Sequence, residues 1–259
     1  MTDLLVDRDG DVLTLTMNRP EKLNAMSTDM RAGILRELTS ETEIQKARAI
    51  ILTGSGRGFC TGADLDMDTI LKRRPYIEGQ IKTSANRLVR MMRGIPIPII
   101  AAVNGAAAGA GFSLALASDF MVVAQSAKFH LSFAKIGAVL DGGSSSFLTH
   151  KIGAARTTAL AMLGGSIDAD TAYEWGLAFN VVEDEDLMDE ARKLAKRLAS
   201  GPTKALGLIK AEIEAARTGT LEDSLRLEAS SQSLAFNSAD FEEGVRAFSE
   251  SRKPEFKGR

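Results

Sequence analysis

Gly105–Asp119 reads "GAAAGAGFSLALASD", and it narrows the possible folds more than any other stretch of the chain. Eight of its first nine residues are small, and from Phe112 it runs on as an apolar helical pattern with no acid, base or thiol before Asp119. Glycine and alanine leave the main chain open to close approach, and the first amides of a helix have no intrahelical acceptor. What such a segment presents to a ligand is therefore its backbone N–H groups. The competing reading is that the small residues only let helices pack closely.

The segment follows a strand, Ile97–Val103, and the same order occurs once before it. Ala49–Thr53 is an apolar strand ending in "GSGRGFCTGADL". An earlier strand in "DVLTLTMNRP" alternates Leu13, Leu15 and Met17 against Thr14 and Thr16, and Ser27 is placed to cap a helix with Met30, Ile34 and Leu38 on one face. A short strand at Phe120–Val123 precedes another loop rich in small residues, "SAKFHLSFAKIGAVLDGGSSSF". From about Ala154 the pattern is mostly helical, with "AYEWGLAFNVVE" as helix then strand and three amphipathic stretches after Thr203. The reading is an α/β core over 1–200 with a helical C-terminal region over 201–259. Ligand sites in α/β folds gather at strand-to-helix loops.

Composition argues against several other classes. A net charge of −2 over 259 residues gives no electrostatic footprint for nucleic acid. One cysteine, Cys60, excludes an internal disulfide, and with only two histidines the chain is poorly equipped for a structural zinc site. No apolar run reaches about 18 residues, and the acidic start lacks a signal-peptide core, so the expectation is a cytoplasmic protein off the membrane. Neither glycine loop is a phosphate motif. Gly109 and Gly111 are followed by Leu114 where the dinucleotide fingerprint needs a third glycine, and no GxxxxGK[ST] occurs. If both loops open helices next to each other, one N–H from each can converge on a single oxygen and stabilise negative charge there, which suits an acyl or enolate oxygen.

Five pieces, "NRPEKLNAMS", "GRGFCTGADL", "IPIPIIAAVNGAAAGAGFSLALASDF", "AYEWGLAFNVVEDEDL" and "EGVRAFSESRKPEFKG", run almost end to end. Together they resemble the enoyl-CoA hydratase/isomerase (crotonase) family, and "IGAVLDGG" is most similar to its phenylacetate-pathway isomerases. The resemblance implies an α/β spiral of ββα units with a C-terminal helical trimerisation region, and hence a homotrimer or a dimer of trimers. It implies an acyl-CoA thioester as partner, with coenzyme A part of the substrate and no separate cofactor. Carried over by motif, the two oxyanion donors fall on the N–H groups of Ala63 and Ala110. Substrate-binding positions fall on Lys22, Leu23, Ala25, Gly62, Asp64, Leu65, Gly109, Ser113, Phe133 and Phe248, with the segment "MDTILKRRPYIEG" as a mobile wall of the site.

The chain departs from the family's hydratases where they carry two glutamates, because those positions align with Ser113 and Phe133. Neither side chain can serve as general acid or base near neutral pH. A carboxylate does occur eight positions past Phe133, at Asp141, where the resemblance implies the base or nucleophile of the isomerases and dehalogenases. Val139, Leu140, Gly142 and Gly143 surround it, so poor solvation would raise its pKa. Read alone, Asp141-Gly142 is also a common turn dipeptide. One carboxylate can remove a proton α to a thioester and return it at the γ carbon, which moves a double bond.

Asp64, Asp66 and Asp68 have half the spacing of a calcium loop but lack its glycine and distal glutamate, and they read as solvated loop acids. His130 and Cys60 read as structural. The leading expectation is an acyl-CoA isomerase acting on a 3-enoyl-CoA or a ring-epoxide thioester. A hydratase-like lyase or hydrolase that holds water by other groups, and a non-catalytic acyl-CoA-binding protein, stay open.

Overall fold

β2 (Val12–Met17) and β3 (Ala49–Gly54) show the two ways in which this chain makes strands. β2 alternates apolar and threonine side chains and is only partly buried, whereas all six residues of β3 are buried, as a continuous apolar run requires when both faces of a strand are covered. The computed structural model describes residues 2–40, 46–64 and 67–259, except for the side chains of Met67 and Thr69. Its larger sheet also contains β1 (Leu4–Asp9), β5 (Ile99–Val103), β7 (Phe120–Ala124) and β10 (Asn180–Val182), in the order β1-β2-β3-β5-β7-β10. Every pairing in it is parallel except β1 with β2. The smaller sheet has the order β4-β6-β8-β9, from β4 (Gly58–Cys60), β6 (Ala106–Ala108), β8 (Lys128–His130) and β9 (Ser166–Asp168).

The chain moves between the sheets in a regular way. β3, β5 and β7 each enter the larger sheet, and β4, β6 and β8 follow them directly into the smaller one. Helical segments close each unit: Met67–Arg73 through Ala85–Gly94 after β4, Ala110–Leu116 after β6, and Ser144–Met162 after β8. Three ββα units therefore stack side by side, and equivalent turns of successive units become neighbours.

Two sequence-based boundaries shift. β5 begins at Ile99 rather than Ile97, because Pro98 has no N–H to give the ladder; its carbonyl accepts from Ile50 instead. The helix expected from about Ala154 starts ten residues earlier, at Ser144, and breaks at Gly153, which has φ 80° and ψ 161°.

The helices Thr203–Ala216, Leu221–Phe236 and Ala239–Ser249 complete the chain. Arg48 fastens this region to the larger sheet by donating to the Thr203 hydroxyl at 2.8 Å, the Phe256 carbonyl at 3.1 Å and the Gly201 carbonyl. The buried ammonium of Lys210 donates to the carbonyls of Met92 and Ile97, at 2.8 and 3.1 Å, and pairs with Asp119 at 2.7 Å. Among the described residues no helix is long and apolar enough to cross a membrane.

Candidate active site

Strand register brings the two small-residue turns together. β4 and β6 are hydrogen-bonded neighbours, with Gly58 opposite Ala106 and Cys60 opposite Ala107, so the turns leaving their ends sit side by side. Gly62 has φ +94°, and a Cβ built on it would stand 2.9 Å from the Ala108 carbonyl oxygen and 3.4 Å from the Ala110 nitrogen. The first turn is pinned from its other side, where Met26 donates to the Gly62 carbonyl at 2.7 Å and bridges Ala63. The second is pinned by β8, whose His130 carbonyl accepts from the Gly109 N–H at 2.9 Å. The left-handed backbone value falls on Gly109 (φ 50°), and Ala110 lies in the first turn of the helix Ala110–Leu116, so its Cβ meets no backbone strain. Among the described residues neither the Ala63 nor the Ala110 N–H donates to a protein acceptor.

The third unit brings in the carboxylate. Ser113, in the helix that opens at Ala110, directs its hydroxyl to the Asp141 carbonyl at 3.0 Å and to the Gly109 carbonyl at 3.2 Å. Ser144 holds the same Asp141 carbonyl from its N–H at 3.1 Å and its hydroxyl at 2.9 Å. A Cβ on Gly142 would come within 2.7 Å of the Ser113 Cβ, so the Asp141-Gly142 turn lies directly on the helix of the second turn. Oδ1 of Asp141 is buried with no hydrogen-bond partner among the described residues. Burial pushes the carboxyl above the ordinary aspartate range, and the Arg31 guanidinium pulls it partly back.

The other expected positions separate into groups. Phe133 lies in the 3-10 turn Ser132–Ile136, with its ring edge 3.6 Å from where a Cβ on Gly109 would stand. Ser113 is fully buried, and its hydroxyl is engaged by main-chain carbonyls beneath the site. Asp64 accepts from Arg19 at 2.8 Å and from Lys22 at 3.1 Å, and chiefly the Arg19 hydrogen bond holds its carboxyl below the usual range. Leu23 has φ 49° and accepts from the Thr61 N–H, and Ala25 accepts from Arg19, so both belong to the loop that braces the first turn. Leu65 and Asp66 lie outside the described residues. Phe248 is 88% exposed on the last helix, and among the described residues no hydrogen bond or strand pairing of the site reaches it. Cys60 is buried beneath the first turn, where desolvation pushes its thiol up to about 11, so it stays protonated near neutral pH.

Residues 7–259 match the enoyl-CoA hydratase/isomerase family. The chain belongs to that family. It is 44% identical over 250 residues to the 1,2-epoxyphenylacetyl-CoA isomerase of Escherichia coli K12, covering 96% of this chain and 95% of the relative. It is 30% identical over 261 residues to the trans-2-decenoyl-[acyl-carrier-protein] isomerase of Streptococcus mutans, covering 99% and 98%. The enoyl-CoA hydratase of Polaromonas sp. JS666 superposes with a TM-score of 0.91 at 32% identity, covering 98% of this chain and 99% of that one. The fold is thus the crotonase spiral, with its C-terminal helical region, and the chain is an enzyme of the hydratase/isomerase family.

Within this crotonase fold, sequence reasoning missed three polar side chains. Asn24, fully buried, accepts from the Arg19 N–H at 2.8 Å and donates to the carbonyls of Ser55 and Gly58 at 2.9 and 2.6 Å, locking the loop that precedes the first helix. Arg19 links that loop to Asp64 and to the Ala25 carbonyl. Arg31, on the helix Thr28–Thr39, has a buried Nε with no hydrogen-bond partner among the described residues and is the cation that pulls the Asp141 carboxyl partly back. The only trace of Arg31 in the sequence is a cation beside the apolar stripe of Met30 and Ile34, which exposed arginines also show.

Proposed function

We propose that this protein is a cofactor-independent acyl-CoA isomerase in which the Ala63 and Ala110 N–H groups hold the thioester oxygen and Asp141 carries the proton. The observation that carries this reading is the convergence of three turns: the paired ends of β4 and β6, and the Asp141 turn that Ser113 ties to the second of them. Removal of a proton α to the thioester puts negative charge on the acyl oxygen, and two fixed donors stabilise that charge as it forms. One such donor is typically worth about 3 kcal/mol of transition-state stabilisation. A carboxylate above the ordinary aspartate range is the stronger base, and its conjugate acid returns the proton at the γ carbon.

A hydratase must hold and activate a water molecule. Where the resemblance puts the hydratases' two glutamates, this chain has a serine bonded to main-chain carbonyls and a phenylalanine over Gly109. Double-bond migration in an enoyl-CoA is therefore favoured over water addition. The 44% identity to an epoxyphenylacetyl-CoA isomerase supports a ring-epoxide thioester as the substrate class. Assembly as a trimer or dimer of trimers completes the proposal. Exposed apolar side chains on the C-terminal helices, among them Ile213, Leu234, Phe236, Val245 and Phe248, support burial against like chains, as does Val139 two residues before Asp141. Lys22 and Leu23 beside the first turn would flank the coenzyme, and the cytoplasm is the proposed compartment.

The test is solvent deuterium exchange with an enoyl-CoA. Deuterium entering the α and γ carbons without water addition is expected, and Asp141→Asn should lower that exchange by about 10²- to 10⁴-fold with the fold intact. Water addition at a rate comparable to isomerisation, or an Asp141→Asn variant of undiminished activity, would overturn the proposal.

A further inference from the structure

The helix Ala110–Leu116 reads AGFSLAL, and its one polar side chain, Ser113, is fully buried. A buried hydroxyl needs a partner, and inside a helix the nearest is the carbonyl four residues back. For Ser113 that carbonyl belongs to Gly109, 3.2 Å from Oγ, but it already accepts the Ser113 N–H at 3.0 Å. The shorter side-chain contact, also 3.0 Å, runs from Oγ to the Asp141 carbonyl in the next ββα unit. One hydroxyl therefore joins the helix that presents the Ala110 N–H to the residue that carries the carboxylate.

The far side of this contact is shaped to receive it. Asp141 is followed by two glycines in left-handed conformations, Gly142 at φ 57° and Gly143 at φ 80°. A Cβ on Gly142 would stand 2.7 Å from the Ser113 Cβ and 3.3 Å from its Oγ, so the turn rests on the serine itself. The Asp141 carbonyl also accepts from the N–H and the hydroxyl of Ser144, the first residue of the helix Ser144–Met162, at 3.1 and 2.9 Å. Ahead of Asp141, residues 134–139 are all exposed. Ser144 ties Asp141 to the helix that follows it, and Ser113 ties it to the helix that begins at Ala110.

We propose that Ser113 is a positioning residue that sets how far along the acyl chain Asp141 reaches. The inference rests on the reading of Asp141 as the proton carrier and of the Ala110 N–H as a donor to the thioester oxygen. Ser113 lies about one helical turn after Ala110, so one turn and one hydrogen bond separate the amide at the acyl oxygen from the main chain of the base. The two proton transfers differ in what they ask of that separation. In the first, the α C–H bond breaks, its proton goes to the Asp141 carboxylate, and its electron pair passes into a dienolate with negative charge on the thioester oxygen. In the second, the γ carbon takes the proton from Asp141 and the carboxylate is restored. The α carbon adjoins the carbonyl carbon, whereas the γ carbon is two bonds further out and depends more on where the carboxylate stands. Loosening the Ser113 contact costs the second transfer more than the first.

The experiment follows a 3-enoyl-CoA in deuterium oxide and compares two rates, double-bond migration and the appearance of deuterium at the α carbon of recovered substrate. Ser113→Ala removes only the hydroxyl, suits the helix, and leaves both Ser144 donors on the Asp141 carbonyl, so the fold is kept, as thermal melting checks. Its ratio of migration to exchange should fall about 10-fold while KM is little changed. Ser144→Ala, which retains the Ser144 N–H and the Ser113 hydroxyl on the same carbonyl, should lower the ratio less. A ratio unchanged in Ser113→Ala, even if both rates fall together, or a fall as large in Ser144→Ala, would overturn the role of Ser113 and leave that of Asp141 in place. Migration at the wild-type rate in Asp141→Asn would instead remove the reading on which the inference stands.

Discussion

The carboxylate of Asp141 is held by its own main chain. Its carbonyl accepts from Ser113 and Ser144, while its side chain is half-buried, with an Oδ1 that has no hydrogen-bond partner among the described residues. In the proposed role the carboxylate has to be ionised to take the proton, and burial lifts it above the ordinary aspartate range. The rate of proton abstraction should therefore rise with pH through a midpoint above that range, read from kcat/KM, and an ordinary aspartate midpoint would contradict the burial argument. The sign for stability is the reverse. The folded chain binds this proton more tightly than the unfolded one, so the group's contribution to stability is present below the unfolded pKa and is lost as pH rises through the folded one. The sequence made Asp141 legible as a candidate, through its spacing and its apolar neighbours. It gave no sign that Ser113 would tie the Asp141 turn to the second small-residue turn, because that contact joins residues 28 positions apart.

At the scale of elements, the glycines of "GAAAGAG" serve both backbone conformation and close packing. Gly109 supplies a left-handed turn that a side chain would strain, while Gly105 and Gly111 are small because backbone lies against them. A methyl group on Gly111 would overlap the Cys60 carbonyl, and one on Gly105 would overlap that of Arg57. Close packing and backbone presentation are therefore the same requirement, since the second small-residue turn can stand beside the first only if the chain behind it packs against β4. Gly111→Ala should cost about 1–3 kcal/mol of stability by overpacking and should also lower activity by displacing the Ala110 amide, measured by thermal melting and α-proton exchange. Wild-type values for both would contradict the claimed contact. The strands of the larger sheet with sustained apolar runs were legible from pattern. The strands β4, β6, β8 and β9 were not, because three residues such as Gly58–Cys60 or Ala106–Ala108 are too short to show a period and are held by their neighbours rather than by propensity.

For the whole molecule, the stacking of three ββα units explains why one loop from each unit reaches the same place, and the family match over residues 7–259 agrees with that architecture. Pattern showed the tail helices Thr203–Ala216, Leu221–Phe236 and Ala239–Ser249, yet it could not show which apolar side chains the fold would leave uncovered. Phe248 at 88% exposure and Val139 at 83% are large apolar groups whose burial needs another chain. Sedimentation equilibrium should find a trimer or a pair of trimers, and Phe248→Ser should weaken that assembly; a monomer at working concentration would contradict it. In the proposed site, two amides from neighbouring turns share one acyl oxygen beside one carboxylate. A crystal structure with an unreactive acyl-CoA analogue tests it most directly. The thioester oxygen is expected about 2.7–3.1 Å from the nitrogens of both Ala63 and Ala110, with the Asp141 carboxylate facing the α and γ carbons. An acyl oxygen bound elsewhere, or held by only one of the two amides with Asp141 turned away, would rule out this arrangement.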